Sequence, residues 1–304
     1  MDSRHPALAA PTTPGRAAAV VGRDAARARV RRQRRRDRVA LAPALALVVT
    51  VFGGALLGAL HASVTPLSAT AGAGATLDSW RALFADPAFM DSIAFTVRLA
   101  VVTTLVAAGC ALVVALMLRS RGTALRALAT LPVPVPHLLV AVTAVLWLAP
   151  GGLADRILGG LPLALVRDQY GIGIVLVYVY KETPFLVLLL LAAMGRGLAE
   201  REEAAAVLGA SPAQRLRWVV WPTVRGPLVV GAIVVCAFVL GAFEVPLTVG
   251  PNYPLTLAEY AAQATQNDVL TGESLAAAAL LFTAVIAIAL AVIAVRFARD
   301  PQGD

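Results

Sequence analysis

Six long apolar segments divide this chain, near Val39–Leu60, Ser92–Leu118, Leu131–Leu148, Gly171–Met194, Gly226–Val249 and Leu275–Val295. Each suffices to cross about 30 Å of hydrocarbon as a helix, which takes roughly 20 residues. Backbone in lipid must satisfy its own polar groups, so segments of this kind fold as helices; a barrel would alternate apolar with polar residues along each span. The sequence therefore reads as an all-α membrane protein with six transmembrane helices. Composition agrees, because only 14% of the 304 residues are charged, against about 25% in soluble domains.

Orientation follows from the basic residues between segments, the quantity that governs membrane topology. Eleven arginines crowd the tail 1–38, three follow the second segment, five lie in the loop 195–225 and two follow the sixth. On the opposite side stand Arg81, Arg156 and Arg167. Both termini are thus expected in the cytoplasm. The basic tail reads as a retention signal, with anionic-lipid or nucleic-acid binding as the lesser readings. A cleavable signal peptide is the rival reading of the first segment, with small residues around Ala69–Ala75, but the apolar run and its basic leader are too long for one.

Inside the segments, Gly53, Gly54, Gly58, Ala107–Gly109 and Ala276–Ala279 suit the close backbone approach by which helices pack in lipid. Pro132, Pro134 and Pro136 mark the entry of the third segment and Pro184 lies inside the fourth, where local kinks are expected. Cys110 and Cys236 fall in apolar runs and read as core thiols. His5, His61 and His137 are scattered, and no catalytic or metal-ligating set emerges. The sole lysine, Lys181, has no glycine-rich loop before it, so the chain has no phosphate-binding loop for ATP.

The loop 195–225 reads GRGLAEREEAAAVLGASPAQRLRWVVWPTVR. Leu198–Leu208 is rich in strong helix formers, with acids early where the helix dipole favours them. Gly209 supplies a left-handed stop, Ser211 an N-cap and Pro212 the first position of a second short helix. Trp218 and Trp221 are placed to anchor that helix at the membrane interface, and Pro222 is expected to end it.

This loop resembles the EAA signature of permease subunits in binding-protein-dependent ABC importers, with Glu203, Ala204, Ala205 and Gly209 followed by Val219, Trp221 and Pro222. Val219 and Trp221 replace the usual Ile and Leu and keep the apolar character. Tyr178–Met194 resembles the family's fourth-span pattern, and Gly241–Pro254 its fifth-span exit in members handling polyamines, ferric iron and thiamine. The resemblance covers residues 75–295 and implies a MetI-like five-helix core with a peripheral first helix at 39–60, in the inner membrane of a bacterium. It further implies that the loop docks on a cytoplasmic ABC ATPase dimer that uses the ATP, this chain binding no cofactor. The other implied partners are a second permease subunit, identical or homologous, an extracytoplasmic solute-binding protein and membrane lipid, with no nucleic acid. Polyamine ranks first among solutes, ahead of ferric iron, thiamine, sulfate and phosphonate. The alternative class is an ion-coupled secondary transporter.

Arg98, Lys181, Glu182 and Glu244 are ionisable residues assigned to spans, each costly unless paired or hydrated. Arg98 lies near enough to the outer end of its span to snorkel. Lys181, Glu182 and Glu244, with Pro184 and Pro246 beside them, either line the solute path or form an ion pair between the fourth and fifth spans, Lys181 with Glu244 being the candidate pair.

Overall fold

A computed structural model describes residues 42–65, 74–160, 165–267 and 272–299. The basic tail 1–38 lies outside them. Among the described residues, six helical stretches are long and apolar enough to cross a membrane. The first is α1, Ala42–Ser63, whose large apolar residues from Leu45 to Leu60 are exposed, as a lipid-facing helix requires.

The remaining residues are built around α3, Pro87–Leu118, which packs against both α7, Ile172–Val207, and α9, Trp221–Leu240. Helix α3 starts five residues earlier than the apolar run, because Pro87 takes its first position and the Asp86 carboxylate accepts from Ala88 N–H at 2.9 Å. Ala100, Ala107, Ala111 and Ala115 are fully buried in the core, so methyl-sized side chains bring these backbones together. A second cluster joins α2, Asp78–Ala85, and α3 to α11, Leu257–Asn267, and α12, Gly272–Arg299. There Phe89 and Tyr260 pack rings 5.3 Å apart over buried Ala276, Ala278 and Ala279.

Three boundaries depart from expectation. The third span does not run helically from Leu131. Helix α4, Thr123–Thr130, gives way to turns over 131–135, and α5, His137–Leu148, begins after Pro136. Pro132, Pro134 and Pro136 remove alternate N–H donors, while Val133 and Val135 donate to the carbonyls three residues back, of Thr130 at 3.1 Å and Pro132 at 3.2 Å, as in turns. The turns are therefore longer than a kink. Past α5, the short helix α6, Leu153–Leu158, completes the stretch.

The fifth span ends at Leu240 rather than Val249. Gly241 caps it, and Glu244–Val249 forms a separate short helix, α10, that packs on α5. Pro246 falls in the first turn of α10, where a missing N–H costs no intrahelical bond.

Pro222 does not end a helix. After α8, Pro212–Arg215, the residues Leu216–Val220 form one π-helical turn, and α9 continues through Pro222. The Trp221 N–H reaches back to the Leu216 carbonyl, and this wider turn makes room for a proline ring that would crowd the carbonyl four residues before it. Pro184 likewise lies inside α7 without ending it; the non-helical residue of that helix is Gly195.

Candidate functional site

Two groups of residues stand out. The first is the loop carrying the EAA-like residues. Gly195, at φ 33° and ψ −177°, breaks α7, and the helix beyond it runs to Val207. Gly209, at φ 87°, then reverses the chain, a left-handed conformation that disfavours side chains with a Cβ. Ser211 and Gln214 form a reciprocal capping box at the start of α8: the Gln214 amide oxygen accepts from Ser211 N–H at 2.7 Å, and the Ser211 hydroxyl from Gln214 N–H at 3.3 Å.

Glu203 and Ala204 are exposed, Ala205 is half-buried, and Val207 and Leu208 are 87% and 88% exposed. These two are the most exposed large apolar side chains among the described residues, although their helix is otherwise well formed. Ala205, Leu208 and Gly209 line a shallow groove facing Trp218 and Val219. Trp221 is partly exposed, and the Arg217 guanidinium lies 5.3 Å from the Trp218 ring centroid.

The helix is tied to the bundle by a contact absent from the sequence reading. Arg119, at the end of α3, donates from Nη1 to Glu202 Oε1 at 2.9 Å. Its only sequence signal is a basic residue at a span end and an acid beside Glu203.

The second group surrounds Lys181 and Glu182, both nearly buried in α7. Lys181 Nζ donates to the carbonyl oxygens of Pro132 at 2.8 Å, Val133 at 3.1 Å and Val135 at 2.6 Å. Glu182 Oε1 lies 2.9 Å from Nε2 of His137, the first residue of α5. The His137 ring is 4.9 Å from Phe238 and 6.1 Å from Tyr178, centroid to centroid. Adjacent charges on one helix thus hold successive parts of one interrupted segment. His137 was not singled out from the sequence, where a lone histidine at a span edge carries no pattern.

The pairing of Lys181 with Glu244 does not form. The break at Gly241 takes Glu244 off the line of α9, and the donors of Lys181 already have carbonyl partners. Glu244 is exposed at the first turn of α10, and its carboxylate has no hydrogen-bond or ion-pair partner among the described residues. Pro184 and Pro246 are buried, one in α7 and the other in α10. Arg98 reaches outward, with Nη2 donating to the Tyr170 carbonyl at 3.1 Å and the guanidinium 5.3 Å from the Phe95 ring centroid.

Beyond the membrane-spanning stretches, Thr256 and Glu259 cap α11: Glu259 Oε2 accepts from both the N–H and the hydroxyl of Thr256 at 2.8 Å. Burial pushes the Glu259 carboxyl above its usual range, and the bonds from Thr256 act in the opposite direction.

Six apolar, membrane-length helices with a glycine-bounded surface helix between the fourth and fifth define the class as an all-helical membrane protein. The chain belongs to the family described as binding-protein-dependent transport system inner membrane component, whose model matches residues 106–301. It is 30% identical over 241 residues to the inner membrane ABC transporter permease protein YnjC of Escherichia coli strain K12, a match covering 77% of this chain and 46% of that one. It is 32% identical over 195 residues to YdcU, an inner membrane ABC transporter permease protein of the same strain, covering 58% of this chain and 62% of that one. The chain thus spans about half to three fifths of the length of these relatives.

The fold is also that of a bacterial alginate ABC transporter crystallised with an alginate pentasaccharide-bound periplasmic protein. The TM-score is 0.69 at 19% identity over 84% of this chain and 91% of that one. A second structure, of a bacterial ABC transporter involved in import of the acidic polysaccharide alginate, matches with a TM-score of 0.69 at 19% identity, covering 89% and 98% of the two chains.

Proposed function

We propose that this protein is a membrane-spanning permease subunit of an ATP-driven importer, moving a small solute inward by alternating access. It performs no hydrolysis itself. A cytoplasmic ATPase dimer takes up the loop helix, a second permease subunit completes the path, and an extracytoplasmic binding protein delivers the solute. Both termini and the loop 195–225 face the cytoplasm, in keeping with the arginine distribution.

The observation that carries this reading is the exposure of Val207 and Leu208 on a helix bounded by Gly195 and Gly209. Apolar side chains displayed beside Glu203, Ala204 and Ala205 fit a groove on a partner, and the ATPase is the partner that the family resemblance supplies. An ion-coupled secondary transporter would leave this display without a purpose.

For the solute we propose a cation, with polyamine first. Lys181 is engaged by backbone carbonyls and Glu182 by His137, whereas Glu244 presents a carboxylate without a hydrogen-bond or ion-pair partner among the described residues. The structural likeness to importers of an acidic polysaccharide, at 19% identity, bears on the fold rather than on the cargo.

The test is pull-down of the cognate ATPase by membrane-inserted Leu208→Ser and Glu203→Ala. Burying a leucine is worth about 1.5–3 kcal/mol, so Leu208→Ser should weaken association by about tenfold or more without changing thermal stability. Gly209→Val should be worse, because a β-branched residue opposes the left-handed stop. Wild-type association and transport in all three variants would overturn the coupling role.

A further inference from the structure

Lys181 lies nine residues into α7, about 13 Å along its axis from Ile172. At this depth in a membrane-spanning helix a charged side chain needs a stated purpose. Its surroundings supply one. An ammonium carries three N–H donors, and Nζ has three acceptors within 3.1 Å, the carbonyls of Pro132, Val133 and Val135. Pro134 and Pro136 have no N–H; the Pro132 carbonyl accepts a turn bond from Val135 N–H at 3.2 Å, whereas the carbonyls of Val133 and Val135 have no backbone N–H partner among the described residues. Irregular backbone at membrane depth persists only where such groups are satisfied by protein, water or an ion.

We infer that the Lys181 ammonium acts as a tethered cation: it fills a carbonyl-lined site suited to a primary alkylammonium, and so fixes the 131–136 turn, and with it the start of α5, against α7. Lys181 is on this account a positioning residue with no contact to solute. Glu182 continues the same hold one residue along through His137. The cation site follows from the geometry alone, while its part in transport rests on the importer role proposed above.

The experiment uses the full chain in membranes. Lys181→Ala removes three carbons and the ammonium, which n-propylammonium replaces atom for atom, whereas 1-propanol fills the same length without charge. Amide hydrogen exchange is followed in the peptide covering 131–148, where Leu131, Val133, Val135 and His137 report on the turn. Exchange at these amides should quicken by about tenfold or more in Lys181→Ala. Propylammonium should slow it toward the wild-type rate, and propanol should not. Unchanged exchange in the variant, no rescue by propylammonium, or equal rescue by propanol would each overturn the inference.

If Lys181→Ala does not reach the membrane, Lys181→Arg and Lys181→Met are compared. The arginine variant, which keeps charge and donors, should retain slow exchange and the methionine variant should lose it; equal behaviour of the two overturns the proposal. Uptake measured in parallel separates the two readings. Rescued exchange without rescued uptake removes only the positioning role, and absence of ATP-driven uptake by the wild-type chain with its partners removes only the importer role.

Discussion

Arg119 Nη1 and Glu202 Oε1 lie 2.9 Å apart, joining the end of α3 to the surface helix that follows the break at Gly195. Residues 83 positions apart in sequence thereby bind the displayed helix to a transmembrane one. The side chains are 31% and 16% exposed, so the pair should contribute at most about 1 kcal/mol to stability. Its larger effect is geometric. Arg119→Ala and Glu202→Ala should each leave the melting temperature nearly unchanged yet lower solute-stimulated ATP hydrolysis in the assembled transporter. The reversed pair, Arg119→Glu with Glu202→Arg, should recover much of the loss; a double reversal no better than either single change would show that the contact is incidental.

Lys181 and Glu244 occupy separate environments, one among carbonyls and the other exposed on α10. Lys181→Met and Glu244→Gln should therefore alter stability additively, within about 0.5 kcal/mol. Glu244→Gln alone should melt like the wild type and raise the half-saturating concentration of a cationic solute about fivefold, the worth of about 1 kcal/mol for a partly solvated charge contact. Strong coupling in the cycle would restore the ion pair, and unaltered uptake would remove Glu244 from the path.

Glu259 offers a pH test outside the membrane-spanning helices. Its carboxyl is raised in the folded state by burial, so the folded protein holds this proton more tightly than the unfolded chain. The associated stability is fully present below the unfolded carboxyl's range and is lost as pH rises through the folded value. Glu259→Gln, whose amide oxygen can still accept from Thr256, should flatten this pH dependence. Above that window it should melt higher, by about 2–4 °C for each kcal/mol of ionisation cost removed. Parallel melting profiles for the two proteins would show that Glu259 does not titrate in this way.

Topology is checked by a reporter fused after Asp304. With 21 basic residues assigned to one side and three to the other, activity should be of the cytoplasmic type. A periplasmic signal would invert the loop 195–225 as well and separate it from any cytoplasmic ATPase.

The number of helices and their approximate positions are visible in the sequence because membrane-length apolar runs have few competing explanations. The turn at Gly209 is equally legible, since a glycine, a serine cap and a proline follow in fixed order. The interruption at 131–136 is half legible: its prolines are plain, but their carbonyls meet Lys181 across 46 to 49 residues, and no local pattern reports that. Pro222 misled for a related reason. A proline ordinarily ends or bends a helix, and nothing in LRWVV reveals the π turn that accommodates it. From the sequence Arg119 counts only toward topology and His137 only as a scattered histidine, because each acquires its pairing role from a distant carboxylate.

The π turn also makes the two sides of the surface loop mechanically unequal. On one side the chain reaches the fourth span through Gly195, a joint. On the other, helical structure runs from Pro212 to Leu240, 29 residues and about 43 Å, with no comparable joint. A displacement of the loop at Ser211 would thus meet a glycine joint on the side of the fourth span and an uninterrupted helical run, ending at Gly241 three residues before Glu244, on the other.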